Sequence, residues 1–270
     1  MANQAGEQVK TRYGFVYCLF TDHQQDKTLI LLHGNSSSGN FWKPLVESHL
    51  RKAFNFLVFD LPGHGQSPVP EDPSGTYSFP AYSDLLVEII SHYDVKNYVL
   101  FGHSLGGHVI LESLERLGGC KGVVLMGTPP LTIPPQLEMA FNMSPQFISF
   151  MQSGSDRDVI EQTFKSMLPE EKEDLAGLLF EDYFKTDPRA RDFLNRNIHQ
   201  GKFIDELKVL KQTKVPVCLV VSENDQMVNS SYFKNFLPDQ ELNCISGAGH
   251  YAPLEKPEIF AELILKKFVA

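Results

Sequence analysis

The chain has 270 residues, of which 42% are hydrophobic and 21% charged, and a formal net charge of −9. That length suits one α/β domain carrying an insertion, with the composition of an ordinary globular protein. The acidic balance, with no Lys/Arg cluster against it, excludes a general nucleic-acid surface, and no apolar run is long enough to span a bilayer.

The opening MANQAGEQVK lacks the apolar core of a signal peptide. Apolar stretches at 9–12 and 15–20 flank Gly14 and read as a hairpin. β-rich runs then recur at 28–33, 54–60, 97–102, 121–127, 215–222 and 242–246. Each is almost continuously apolar, as expected of strands covered on both faces of a parallel sheet. Helical periodicity is clearest at 81–93, 105–117 and 257–268. The alternation predicts an α/β fold with a mostly parallel, doubly wound sheet. From 131 to 213 there is helical patterning and no convincing strand, broken by prolines and Gly154 into about four helices. This predicts a helical lid at 131–213 over the carboxyl edge of a core formed by 1–130 and 214–270, where open α/β sheets bind ligands. Cys18, Cys120, Cys218 and Cys244 have strand-like surroundings and no CxxC spacing. They are expected to be buried free thiols of a cytoplasmic protein rather than zinc ligands.

The stretch FGHSLGGH, 101–108, lies between a predicted strand and a predicted helix. It fits G-x-S-x-G, a turn so tight that its flanking residues must be small, and it lifts one serine clear of the sheet. Alone, such a serine is equally a helix cap. A nucleophilic serine needs a base and an orienting acid. Of nine histidines, His250 follows the last predicted strand on the loosened loop SGAGHYAP, within side-on reach of Ser104. His33 and His64 also lie near strand ends, whereas His103 is too close in the turn to fold back, and packing is expected for His108. The loop SENDQMVN offers Glu223 and Asp225, and Asp225 is better placed beyond the turn residues. After strand three comes HGNSSSG. Its Asn35, with Leu105 after the serine, would supply the two backbone N–H groups of an oxyanion hole.

Serine, then acid, then histidine is the chain order of α/β-hydrolases. HGN, DLPGHGQS, GHSLG, END and GAGH together resemble that family over essentially the whole length. The resemblance places nucleophile, acid and base on Ser104, Asp225 and His250, and treats DLPGHGQS as structural. HGNSSSG, DLPGHG, SLGGH, GTPP and TDPRARDF further resemble N-acyl homoserine lactonases of this fold. In those lactonases the acid-loop carboxylate is expected one position later, at Gln226 here, so Asp225 is the acid this loop offers. Dehalogenases and epoxide hydrolases of the fold use a carboxylate where Ser104 stands, and are disfavoured.

The resulting expectation is a serine hydrolase of a small ester or lactone with an apolar acyl group. It requires neither metal nor cofactor, and the oligomeric state is left open. General carboxylesterase, carbon–carbon bond hydrolysis and acyl transfer use the same triad, and a non-catalytic ligand receptor is the reading from another class. Met143, Phe147 and Phe184 of the lid are expected to line the acyl pocket, with Phe41 and Trp42 flanking its mouth.

Overall fold

A computed structural model describes residues 6–169 and 172–269. Its centre is an eight-stranded sheet of order β1-β2-β4-β3-β5-β6-β7-β8. The strands are β1 (Glu7–Thr11), β2 (Gly14–Thr21), β3 (Thr28–Leu32), β4 (Asn55–Phe59), β5 (Tyr98–His103), β6 (Cys120–Met126), β7 (Val217–Ser222) and β8 (Leu242–Ile245). β1 and β2 pair antiparallel, as does β2 with β4, and the remaining pairs are parallel. The hairpin turns at Gly14, whose φ of +101° is open to glycine at no steric cost. Every residue of β3, β4 and β5 is buried, which is why these runs read as apolar throughout rather than alternating.

The helices of the first half are α1 (Lys43–Glu47), α2 (Pro73–Thr76), α3 (Phe79–His92) and α4 (Leu105–Ser113). α3 starts where Ser78 accepts the Ala81 N–H, with proline in the first turn. Between β6 and β7 lie α5 (Leu137–Ala140), α6 (Pro145–Phe150), α7 (Arg157–Met167), α8 (Glu173–Lys185), α9 (Pro188–His199) and α10 (Glu206–Gln212). These are six helices where the proline spacing predicts about four, because the two short ones, α5 and α6, show too few turns to register as periodicity. The chain closes with α11 (Ser230–Phe236), α12 (Ala252–Glu255) and α13 (Pro257–Phe268). α3 packs on α4, α10 also meets α4, and α13 packs against α1 and β6.

The chain passes from β3 to β4 on one side and then to β5 on the other. Loops leaving β3 and β5 therefore diverge, and a crevice opens at their carboxyl ends. The cysteines depart from expectation. All four are free, but only Cys18 and Cys218 are buried; Cys120 is half-buried, and Cys244 is exposed on the edge strand β8, which no further strand covers. Among the described residues, no helix is long and apolar enough to cross a membrane.

Candidate active site

Ser104 joins β5 to α4 at φ +50° and ψ −114°, backbone angles that L-residues rarely adopt. The surrounding glycines make this turn possible. A Cβ on Gly102 would lie 2.5 Å from the Gly106 carbonyl carbon, one on Gly106 2.3 Å from the Leu32 oxygen, and one on Gly107 2.1 Å from Thr128 Oγ1. Ser104 caps α4 without a side-chain cap bond, so its hydroxyl is not spent on the helix. The capping alternative for this serine is thereby set aside.

Across the crevice, the acid loop after β7 and the loop after β8 bring Asp225 and His250 together. Asp225 Oδ2 accepts from His250 Nδ1 at 2.9 Å, while its Oδ1 accepts the N–H groups of Met227 and Val228 at 2.8 and 2.9 Å. Burial alone pushes the Asp225 pKa up. The His250 partnership and the two N–H bonds outweigh it and hold the carboxyl below its ordinary value. Glu223 instead accepts the Gly247 N–H in an exposed position, and no hydrogen bond joins it to His250. Gly127, at φ +61°, lets the pair seat closely, since a Cβ there would be 3.0 Å from His250 Cε1. Ser104 and His250 line one cavity, though no hydrogen bond joins them. Such contacts are commonly long before substrate enters.

Neither the Asn35 nor the Leu105 N–H is taken by an acceptor among the described residues. Leu105 heads α4, where an N–H has no intrahelical partner. Asn35 is aimed by a residue whose part the sequence left unassigned. Leu61 donates its N–H to His33 Nε2 at 3.0 Å, so the His33 proton sits on Nδ1 and is given to the Gly34 oxygen at 2.7 Å. That fixes the plane of the Gly34–Asn35 peptide, and in a trans peptide the Asn35 N–H points opposite to the held carbonyl. His33 is fully buried, which lowers its pKa and keeps it neutral.

His103 is likewise a positioning group and not a base. Its Nε2 donates to the His250 carbonyl at 2.9 Å, its ring stacks on Phe41, and burial lowers its pKa to about 3. Glu255 accepts the Gly249 N–H and fixes the other flank of the His250 loop. In DLPGHGQS, Asp60 accepts from Gly39 and Gln66, Ser67 donates to the Asp60 carbonyl, and His64 Nδ1 pairs with the Pro62 oxygen. These are loop-building contacts.

The inserted helices grip the HGNSSSG loop that carries Asn35. Ser38 Oγ donates to Asp182 Oδ2 of α8 at 2.7 Å, and Arg191 Nη1 of α9 donates to Ser36 Oγ at 3.0 Å. Both side chains are buried, and Arg191 also lies over the Tyr183 ring at 4.0 Å. Burial, opposed by the Ser38 hydrogen bond, raises the Asp182 pKa to about 6.

The cavity has a volume of about 330 Å³. Gly34, Asn35, Ser104 and His250 form one part of its wall, and Leu137, Phe141, Phe147, Phe150 and Met227 make the rest largely apolar. Met143 and Phe147 line it, Met143 from an exposed position. Three expected pocket residues do not. Phe41 and Trp42 are buried, because the single 3-10 turn Gly39–Trp42 points them inward, Phe41 onto His103 and Trp42 onto Phe101. Phe184 turns away to pack on Phe180 under the Arg157 guanidinium, 4.2 Å from its ring centre. Among the described residues, no group of three or more His, Cys, Asp or Glu is placed to hold a metal ion.

The chain is similar to known proteins over most of its length. The uncharacterized hydrolase YugF of Bacillus subtilis is 26% identical over 91% of this chain and 92% of its own. The uncharacterized carboxylesterase nap of the same organism is 24% identical over 97% of this chain and 86% of its own. The N-acyl homoserine lactonase AidH, solved as a mutant with N-hexanoyl homoserine, superposes with a TM-score of 0.88 at 25% identity, covering 99% of this chain and 96% of that one. Residues 29–263 match the alpha/beta hydrolase family, and with its sheet order and strand-end loops the chain belongs to that family.

Proposed function

We propose that this hydrolase cleaves a carboxylic ester or lactone with an apolar acyl group through an acyl-enzyme on Ser104. The observation that carries the reading is the convergence, at one cavity, of a strained serine whose hydroxyl makes no cap bond, a histidine held from behind by Asp225, and two unclaimed N–H groups. His250 takes the Ser104 proton as the oxygen attacks the carbonyl carbon, and the N–H groups of Asn35 and Leu105 receive the oxyanion. Asp225 holds the His250 proton on Nδ1, leaving Nε2 free to accept. The imidazolium then protonates the leaving alkoxide, and a water activated by His250 releases the acid. Helices α5–α9 act as the lid of this site and supply its apolar wall.

For the substrate, the AidH complex and the carboxylesterase relative support an ester-type carbonyl. The Met and Phe side chains of the cavity suit a flexible acyl chain. N-acyl homoserine lactones are the first substrates to try, and simple carboxylic esters the second. The test is a panel of p-nitrophenyl esters and acyl homoserine lactones, with an organophosphonate label located by mass spectrometry. Wild type is expected to turn over at least one class, with the label on Ser104 and loss of nearly all activity in Ser104→Ala. A label elsewhere, or a Ser104→Ala variant as active as wild type, overturns the assignment.

A further inference from the structure

A second histidine–carboxylate pair borders the same cavity, and the hydrolytic cycle does not use it. His108 lies one helical turn after Ser104 on α4, and so on the same side of that helix. It lines the cavity although it is only 5% exposed. Its Nδ1 sits 3.0 and 2.8 Å from the two carboxylate oxygens of Glu206, which is fully buried. Glu206 heads α10 and is itself fixed, since its Oε2 accepts the Leu131 N–H at 2.7 Å and its own N–H is given to the Leu131 oxygen. The Phe79 ring stacks on the imidazole with an interplanar angle of 8°, so the ring cannot turn without disturbing the core.

A carboxylate can only accept, so the Nδ1 facing it carries a proton. The other nitrogen, Nε2, has no protein partner among the described residues. An imidazole buried this deeply, locked on one edge and stacked on one face, with its remaining nitrogen unclaimed at a cavity wall, is a prepared hydrogen-bonding point for a ligand. Phe79, stacked on His108, lines the same wall, as do the apolar Leu131, Leu194 and Ile198 and the polar Asn195 and His199 of α9.

We propose that His108, positioned by Glu206, is a specificity-determining residue that recognises a secondary amide in the acyl portion of the substrate. One turn of helix, about 6 Å of rise, separates the two backbone positions, and both side chains line the one cavity, so a group held by His108 belongs to the part of the substrate near its reacting end. With Nδ1 protonated toward Glu206, Nε2 of the neutral ring is an acceptor, and the N–H of a secondary amide is the donor that meets it. The proposal rests on the hydrolase reading above. It adds that an otherwise apolar acyl group carries one polar feature near its reacting end.

The experiment compares N-butanoylglycine methyl ester with methyl heptanoate, a chain of matched length whose amide is replaced by two methylenes. The readout is the ratio of kcat/KM for the two esters, so a general loss of activity cancels. His108→Asn keeps a donor toward Glu206 and removes the cavity nitrogen. Glu206→Gln keeps the side-chain volume and loosens the hold on Nδ1, and carries the test should the first variant fail to fold. Wild type is expected to favour the amide ester, with that preference falling about fivefold or more in His108→Asn and less steeply in Glu206→Gln. An unchanged ratio, or equal losses on both esters, shows that the pair only ties α10 to α4 and overturns the proposal. If wild type cleaves neither ester, the hydrolase reading is what suffers. Calorimetric affinities of the two esters for Ser104→Ala, with and without His108→Asn, then decide the amide site. Discrimination that disappears with His108→Asn upholds it, and no discrimination overturns it.

Discussion

Replacing Asp182 by asparagine should make the protein more stable at neutral pH, although the residue makes a short hydrogen bond. Its pKa is raised from the ordinary 3.8 to about 6, first by burial and then by Asp60 and Glu181, with the Ser38 hydrogen bond and Lys185 opposing. Between those two pH values the unfolded chain has released this proton and the folded chain still holds it. Folding stability therefore falls as pH rises through that window, and the full cost stands above about pH 6. A displacement of about two units at 1.36 kcal/mol each gives about 3 kcal/mol as the upper bound. Asp182→Asn keeps an oxygen acceptor for Ser38 and carries no charge. Its advantage over wild type should thus grow from near zero at about pH 4 toward this bound above pH 6, roughly 6–12 °C in Tm. Urea or thermal unfolding of both proteins across pH 4–8 measures it. Parallel stability curves, with a constant offset across that range, would refute the linkage reasoning.

Other substitutions separate the parts of the site. Asp225→Asn should lower kcat/KM by orders of magnitude and Glu223→Gln by less than about threefold, because only Asp225 fixes the His250 tautomer; comparable losses in steady-state assays would contradict this. His33→Ala frees the Gly34 carbonyl and should cost up to about 100-fold in kcat with KM little changed, as expected when one oxyanion donor loses its aim. Gly107→Ala drives a methyl into Thr128 and should destabilise by roughly 1–3 kcal/mol, measured by denaturant unfolding. In an acyl-chain series, kcat/KM should rise by up to ~0.8 kcal/mol per added methylene and level off once the cavity of about 330 Å³ is full; a flat series would remove the acyl group from this cavity.

Much of this architecture was legible because it is written in local pattern. Strands buried on both faces must be apolar throughout, and the elbow needs glycines at fixed offsets from Ser104, so both leave marks within a few residues. Asp225 could be preferred to Glu223 from turn chemistry alone. The remaining groups depend on distant partners. Arg191 meets Ser36 across 155 positions, Asp182 meets Ser38 across 144 and Glu206 meets His108 across 98, and no period or spacing announces such pairs. Phe41 and Trp42 show the opposite hazard. Adjacency to the HGN loop suggested a place at the cavity mouth, but one tight turn reverses the direction of the rings and sends them into the core.

The grip of α8 and α9 on the serines of the 35–38 loop has a consequence for timing. Any outward swing of those helices wide enough to admit a bulky ligand must either snap the Asp182–Ser38 and Arg191–Ser36 contacts or drag the loop along. Either change would disturb the loop that carries Asn35, although His33 still holds the Gly34 carbonyl. If the helices serve as the proposed lid, access and reactivity would be mechanically interlocked, as in a breech that cannot fire while open. On the proposed reading, a carbonyl meeting Ser104 with these helices displaced would find a less firmly framed pair of N–H donors than one bound beneath them.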